Sequence, residues 1–227
     1  MGSKERRERE REEVRQRILD AARDLFAREG YDAVSMRKIA EAIEYSPTAI
    51  YVHFEDKAAL MRELCHQDFG RMAEGNRAVF EINDPVERIR ELGYHYIRFA
   101  VSHPNHFRLM FMTKPAPETA MTEAEMKEAG HGDPNQDGYA LLKLCVEQAI
   151  AQGRVRPEVA DAEIVTQLFW AGVHGVASLH ILRPDEEQWC SWAGADVLGR
   201  RMIDVMFRGM LKPGDPALAK ADEGVEP

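Results

Sequence analysis

Residues 35–54 read SMRKIAEAIEYSPTAIYVHF, and this stretch decides the fold. Ser35 is a helix N-cap type, because its hydroxyl accepts a hydrogen bond from an otherwise unpaired amide of the first turn. Met36, Ile39, Ala40 and Ile43 then fall at helical spacing. The pattern breaks at Glu44-Tyr45 and restarts at Ser46-Pro47, a second N-cap followed by proline at the first helical position. Ala49, Ile50 and Tyr51 carry the second helix, and the run closes at Phe54. Two short helices joined by a tight turn are the helix-turn-helix plan. Small helix pairs without any DNA contact share that spacing, so the flanks have to decide.

Upstream, Ile18, Ala22, Leu25 and Phe26 make the apolar face of an earlier helix, expected over 11–28, that stops at Gly30. Downstream, Asp56 is placed to cap a long helix from Lys57, with Leu60, Met61 and Leu64 facing inward. A supporting helix, a two-helix reader and a bracing helix make a small three-helix head with its connector.

The run AARDLFAREGYDAVSMRKIAEAIEYSPTAIYVHFEDKAALM, residues 21–61, resembles the N-terminal domain of the tetracycline-repressor (TetR) family of transcriptional regulators. The matching marks are Leu25-Phe26 before Gly30-Tyr31, Ser35 with Ile39-Ala40, Tyr51 with Phe54, and Lys57 with Leu60, in one unbroken register. One position departs: the turn residue, often glycine in the family, is Glu44, and glutamate takes positive φ reluctantly. Val52 stands where many members have histidine or tyrosine, and His53 follows it. The resemblance implies that Ser35, Arg37 and Thr48 face DNA, with Lys38, Ser46 and Pro47 beside them and Tyr51, His53 and Lys57 near the backbone. The chemistry of these residue types fits. A helix N-terminus with a serine favours phosphate, arginine binds guanine bidentately, and the threonine methyl meets thymine.

The 227 residues carry a net charge of −9, which looks wrong for a DNA binder. Residues 1–62, however, hold 13 Lys/Arg and 13 Asp/Glu, so the whole acidic excess sits in the remainder. That asymmetry orients the head toward phosphate. No stretch approaches the roughly 20 apolar residues of a membrane span. The Arg/Glu-rich start lacks the apolar stretch of a secretory signal. Cys65, Cys145 and Cys190 are distant from one another and odd in number, as in a cytoplasmic protein with structural thiols. No metal set is expected; His103-Pro-Asn-His106 reads as a helix junction.

The expected fold is all-α. A charged flexible tail, or the first turn of an extended Arg/Glu helix, spans 1–10, and the helix-turn-helix domain spans 11–60. A helical regulatory and dimerisation domain spans 61–212, and a disordered tail 213–227. The bracing helix is expected to run from 56 to 80, although Gly70 and Gly75 weaken its second half. Asn83-Asp84-Pro85 starts a helix to His103, and Pro104 a short one rich in Phe and Met. Residues 113–134 read as a loop with one helical turn near 123–129. Further helices are expected at 136–152, 161–182 and 193–211, with a linker at 183–192 holding Pro184, Trp189 and Trp192.

Tyr96, Phe107, Met110, Phe111, Trp170 and His174 are candidate pocket residues, since ligand sites are largely apolar and methionine adapts to shape. Core packing would select the same residue types. From Ile164 to Leu182 the helix is apolar almost all round, which asks for burial on every side. In a chain this small that points to a subunit interface, built from Phe169, Val173 and Val176 with Ile203, Met206, Phe207 and Met210 of the last helix. Trp170-x-x-x-His174-Gly175 and HPNHFRLMF resemble the regulatory domain of the Trp-His-Gly (WHG) subgroup. The resemblance implies a homodimeric repressor on a pseudo-palindromic double-stranded operator, released by a small hydrophobic effector, with no cofactor. The alternative is a DNA-binding regulator or adaptor without a small ligand. An enzyme finds no support: there is no nucleophile–base spacing and no glycine-rich phosphate loop.

Overall fold

The computed structural model describes residues 3–114, 116–183 and 191–219. Among them every regular element is helical, and the one β-type pairing is an isolated bridge between Val155 and Leu211. The chain forms two compact units. One runs to Phe69 and takes in Asn105–Glu125; the other comprises Gly70–Pro104 and the chain from Met126 onward.

The first unit is the head. Helix α1 (Ser3–Glu29) is longer than expected. Residues 4–10 are its exposed first turns, not a flexible tail, because i,i+4 pairs such as Arg6–Glu10 at 2.8 Å support a helix without packing. It ends where Gly30, at φ 82°, returns its N–H to Phe26 O at 3.0 Å. Helix α2 (Met36–Ala42) and α3 (Pro47–Tyr51) follow, then α4 (Lys57–Gly75), which stops at its second glycine and gives way to a 3₁₀ turn, Arg77–Glu81. Ile18, Leu19, Ala22 and Phe26 of α1 meet Ile39, Ala40, Ile50, Leu60 and Leu64 in a core closed to solvent.

Residues 105–125 also belong to this unit. Leu109, 3% exposed, joins the head core. Beneath it lies a buried ion network. Arg23 Nη2 lies 3.0 Å from Asp68 Oδ1, and His106 Nδ1 lies 2.9 Å from the same oxygen. The boundary expected near residue 60 therefore moves to 69, and the head gains a second, non-contiguous piece.

The second unit is a helical bundle. Helix α5 (Pro85–Ser102) is capped by Asp84, whose Oδ1 accepts from Val86 N at 2.8 Å. Helix α6 (Pro104–Phe107) opens the segment that returns to the head, and a π-helical turn, Arg108–Met112, follows it. The expected loop holds α7 (Glu123–Glu128). Helices α8 (Gly138–Ala151), α9 (Ala162–Leu182) and α10 (Ala195–Met210) pack with α5. The fit of α5 on α10 is tight: a Cβ on Gly93 would stand 2.7 Å from Ile203 Cδ1, and one on Gly199 2.5 Å from Ile97 Cδ1. By length and composition α9 is apolar enough to cross a membrane, contrary to expectation, but seven of its side chains are buried in the bundle.

The expected disordered tail is corrected over residues 213–219. Asp215 takes two bonds from Arg154, at 2.6 and 2.8 Å. Arg90, 6% exposed, donates to Asp204 at 2.8 Å and to Ala217 O at 2.7 Å, fixing α11 (Pro216–Ala219) on the bundle. Residues 220–227, Trp189 and Cys190 lie outside the described residues, as does most of the expected linker. Burial pushes the Cys65 and Cys145 thiols up to about 11, which disfavours the reactive thiolate at both. Among the described residues no three metal-ligating side chains come together.

Candidate functional site

The reader is built by local chemistry. Ser35 Oγ accepts from Lys38 N at 3.2 Å and Ser46 Oγ from Ala49 N at 3.3 Å, so both helices are capped as their sequences imply. Between them Glu44 sits at φ 60°, the left-handed conformation that glycine takes freely. Tyr45 N donates back to Ala40 O at 2.9 Å and Glu44 N to Glu41 O at 3.2 Å, the Schellman closure. The turn thus keeps a glycine-type geometry with glutamate in it. Glu44→Gly is expected to raise stability by about 0.5–1 kcal/mol, the left-handed strain relieved less the extra unfolded-state entropy. Urea unfolding checks it; an unchanged or lower midpoint would show the turn to be unstrained.

Ile50, fully buried, and Phe54 anchor α3. That leaves Ser46, Pro47, Thr48 and Tyr51 on the outside, together with Ser35 and Arg37 of the preceding helix. Val52, 64% exposed beside Tyr51, joins this surface and was not among the expected residues. Arg37 is held only by the exposed Glu41, 2.8 Å away, an i,i+4 partner that a phosphate or a guanine replaces readily. Lys38 is half-buried and pairs with Glu29.

The structure describes the surroundings of two further expected backbone contacts, Lys57 and His53. Lys57 Nζ points inward, donating to Tyr31 O at 2.9 Å and Val34 O at 3.0 Å, and sits 4.0 Å from the Tyr31 ring centre. It ties α4 to the connector and is not a free charge for phosphate. His53 is half-buried, with a Nδ1 that has no hydrogen-bond partner among the described residues. Burial, then Arg11 and Arg15, hold its pKa below the usual imidazole value, so it meets neutral pH uncharged.

The candidate pocket residues divide between the two units. Tyr96, Trp170 and His174 lie in the bundle. Tyr96 Oη stands 2.8 Å from His174 Nδ1 and accepts from Trp170 Nε1 at 3.3 Å. Burial lowers the His174 pKa, which favours the neutral ring, and the tautomer of that ring sets which of Nδ1 and the tyrosine hydroxyl donates. Tyr139 packs edge-on to Trp170 at 5.8 Å and donates to Glu163 at 2.7 Å. Hydrogen bonds from Lys143 and Tyr139 bring the Glu163 carboxyl down to about 2. Phe107, Met110 and Phe111 lie in the head unit, where Phe107 and Phe111 are 5.0 Å apart and Phe111 meets Phe69 edge-on at 5.7 Å. Their π-helical turn, a feature frequent at functional sites, carried no signal in the sequence. Two open hollows of about 440 and 400 Å³ are lined by residues within 78–95 and 157–168, and by none of the six.

The expected dimer residues are also corrected. Phe169, Val173, Val176, Ile203, Phe207 and Met210 are buried inside their own chain, with Phe169 stacked on Phe207 at 6.1 Å, and Met206 is half-buried beside them. The six buried side chains offer a partner little surface, and Met206 alone keeps part of its own exposed. The outward stripe of α9 is instead Ile164, Leu168, Ala171, Gly175, Leu179 and Leu182, at spacings of four and three. Four of these are large apolar side chains 48–63% exposed, and a Cβ on Gly175 would meet open space. Val197 and Val205 of α10 are exposed as well.

The comparisons with known proteins fit this architecture. The chain is 40% identical over 81 residues to the HTH-type transcriptional repressor AcnR of Corynebacterium diphtheriae, covering 36% of this chain and 40% of that one. It is 35% identical over 104 residues to the regulator AcrR of Shigella flexneri, covering 44% and 48%. It thus spans less than half the length of these relatives. Among solved structures, AibR in complex with isovaleryl coenzyme A and operator DNA superposes with a TM-score of 0.68 at 21% identity, over 85% of this chain and 97% of that one. The ketosteroid regulator KstR2 of Mycobacterium tuberculosis gives 0.67 at 18% identity, over 88% and 95%. At these identities the likeness is one of fold. The finer WHG assignment rests on the sequence resemblance alone. The description "Bacterial regulatory proteins, tetR family" matches residues 18–64 and "Tetracyclin repressor-like, C-terminal domain" matches 89–206, half of the chain by itself, so this protein belongs to the TetR family.

Proposed function

We propose that the chain is a sequence-specific DNA-binding transcriptional regulator, a cytoplasmic homodimeric repressor released from its operator by a small hydrophobic ligand. The observation that carries the reading is the reader itself: α2 and α3 are both capped, Ile50 anchors the second, and Arg37, Thr48 and Tyr51 stand exposed beside it. A dimer through the outward stripe of α9 would set two such readers on the half-sites of a pseudo-palindromic operator, as dimeric helix-turn-helix proteins do. The effector's recognition rests on Tyr96, Trp170 and His174, three polar groups joined by hydrogen bonds where the buried Tyr96 meets the half-buried His174 and the exposed Trp170, a composition suited to a mainly apolar ligand with one polar end. The ligand acts by its differential affinity for the two states of the protein. Helix α4 is one of three covalent links between the units, the one in which a single long helix begins in the head and ends in the bundle.

A regulator without an effector is the alternative reading; the hollows at 78–95 and 157–168 lie away from that trio. The test is binding of the purified protein to the DNA upstream of its own gene. Specific, salt-sensitive binding that weakens about tenfold or more in Arg37→Ala and Thr48→Ala is expected. Absence of specific binding to any genomic fragment by a folded dimer would sink the reading. Screening acyl and aromatic compounds for release in the same assay separates the two versions.

A further inference from the structure

Helix α2 carries two long charged side chains on its exposed face. Met36, Ile39 and Ala40 are buried, which fixes the helix on the head core and leaves Arg37 and Glu41, one turn apart, on the outside. Arg37 Nε donates to Glu41 Oε1 at 2.8 Å, and no other side chain among the described residues pairs with Arg37. Lys38, next along the helix, pairs with Glu29 instead. Arg37 is therefore the one cation among the outward residues Ser35, Arg37, Ser46, Thr48, Tyr51 and Val52.

The nitrogen that Glu41 engages decides what Arg37 can still do. A guanidinium offers its donors on a rigid planar fork. A bond through Nε leaves Nη1 and Nη2 to a partner from outside the chain, and guanine O6 and N7 are acceptors that such a fork takes bidentately. Glu41 gives way to a group that needs Nε, but a guanine met end-on by Nη1 and Nη2 leaves it in place. The local charge favours the same use. Glu41, and Glu44 in the turn that follows, are exposed carboxylates close to Arg37 in the chain. Carboxylates repel phosphate and weaken a purely electrostatic grip on DNA. The guanine edge presents neutral acceptors, against which the same carboxylates cost far less. Helix stability does not account for the pair, since an exposed ion pair at this spacing adds little.

We propose that Glu41 is a positioning residue for base readout, holding the Arg37 fork in advance for a guanine and against capture by phosphate. The proposal rests on the DNA-binding reading above and deepens it, naming the base class that α2 reads and the side chain that sets the preference. Glu41 acts through Arg37, in the way a supporting shell fixes the group that makes the contact.

The experiment measures binding of the intact protein to operator duplexes in which each G·C pair in turn is replaced by A·T, with scrambled DNA as reference. One replacement should weaken the parent by about tenfold or more and leave Arg37→Ala indifferent, which marks the guanine that Arg37 reads. At that position Glu41→Ala is expected to lose about three- to tenfold of the discrimination, the factor for ordering one long side chain only on binding. Its affinity for scrambled DNA should stay level or rise, because a negative charge has gone. Glu41→Gln, whose amide oxygen still accepts from Nε, should keep most of the discrimination with the same gain on scrambled DNA, which separates position from charge. Glu10→Ala removes a pair of the same length on α1, Arg6–Glu10 at 2.8 Å, and should leave the discrimination unchanged. Circular dichroism verifies that each variant folds. A folded Glu41→Ala with the parent's discrimination at the marked guanine would overturn the proposal and leave the regulator standing. So would a parent that binds its operator with no guanine depending on Arg37. A parent that binds no DNA specifically overturns both.

Discussion

Asp68→Ala is expected to destabilise the head by about 3 kcal/mol or more, near the lower end of what removing one partner of a buried ion pair costs. The Asp68 side chain is 1% exposed and accepts from Arg23 through both oxygens at 3.2 Å, with His106 2.9 Å away. Alanine leaves the Arg23 guanidinium, 4% exposed, with only Asp20, at 2.7 Å and largely in solvent, to offset its desolvation. Urea unfolding followed by circular dichroism gives the difference. A loss below about 1 kcal/mol would mean that water reaches Arg23 and replaces the carboxylate. The double change Arg23→Met/Asp68→Leu should recover most of the loss, because apolar replacement of a whole buried pair is often near neutral. That recovery would mean that the pair sets the docking geometry of the head more than it adds net stability.

The second large effect concerns assembly. Leu168→Arg/Leu179→Arg places two charges on the exposed stripe of α9, where the native side chains are 59% and 48% exposed in the single chain. The change costs little in a monomer, since neither position is buried, and a great deal in an interface that must desolvate both guanidinium groups. Sedimentation should show a folded monomer where the parent is a dimer. Operator affinity should fall by about 10²–10⁴, the factor that linking two binding modules contributes. A dimer that survives both changes would place the interface elsewhere. Phe207→Ala makes the contrast: its ring is fully buried in its own chain, so it should lower the stability of the bundle before it alters assembly.

What the sequence made legible was the chemistry that acts within a few residues. Ser35, Ser46-Pro47, Asp84-Pro85 and Asp161 each cap the helix they were expected to cap, because a cap depends on a side chain and an amide two or three positions away. The direction of the apolar helix α9 was not legible. Its sequence is hydrophobic all round, so periodicity names no inner face, and the choice falls to α5 and α10, where Gly93 and Gly199 admit close neighbours. Lys57 illustrates the same limit: a cation at a helix start looks poised for phosphate, while Tyr31 O and Val34 O, 26 and 23 residues earlier, claim it. The neutrality of His53 and the bond of Asp215 to Arg154, 61 residues away, are likewise set by distant partners.

The return of residues 105–125 to the head bears on how this protein can be taken apart. The chain leaves the head after Phe69 and re-enters it at Asn105, so the head is not a portable cassette that ends where the reader and its bracing helix end. A chimera that grafts residues 1–69 onto a foreign regulatory domain would strand Asp68 without His106 and open the core where Leu109 belongs. Grafts that carry both segments keep the unit whole, and in hydrogen exchange 105–125 should open with the head's helices rather than with the bundle.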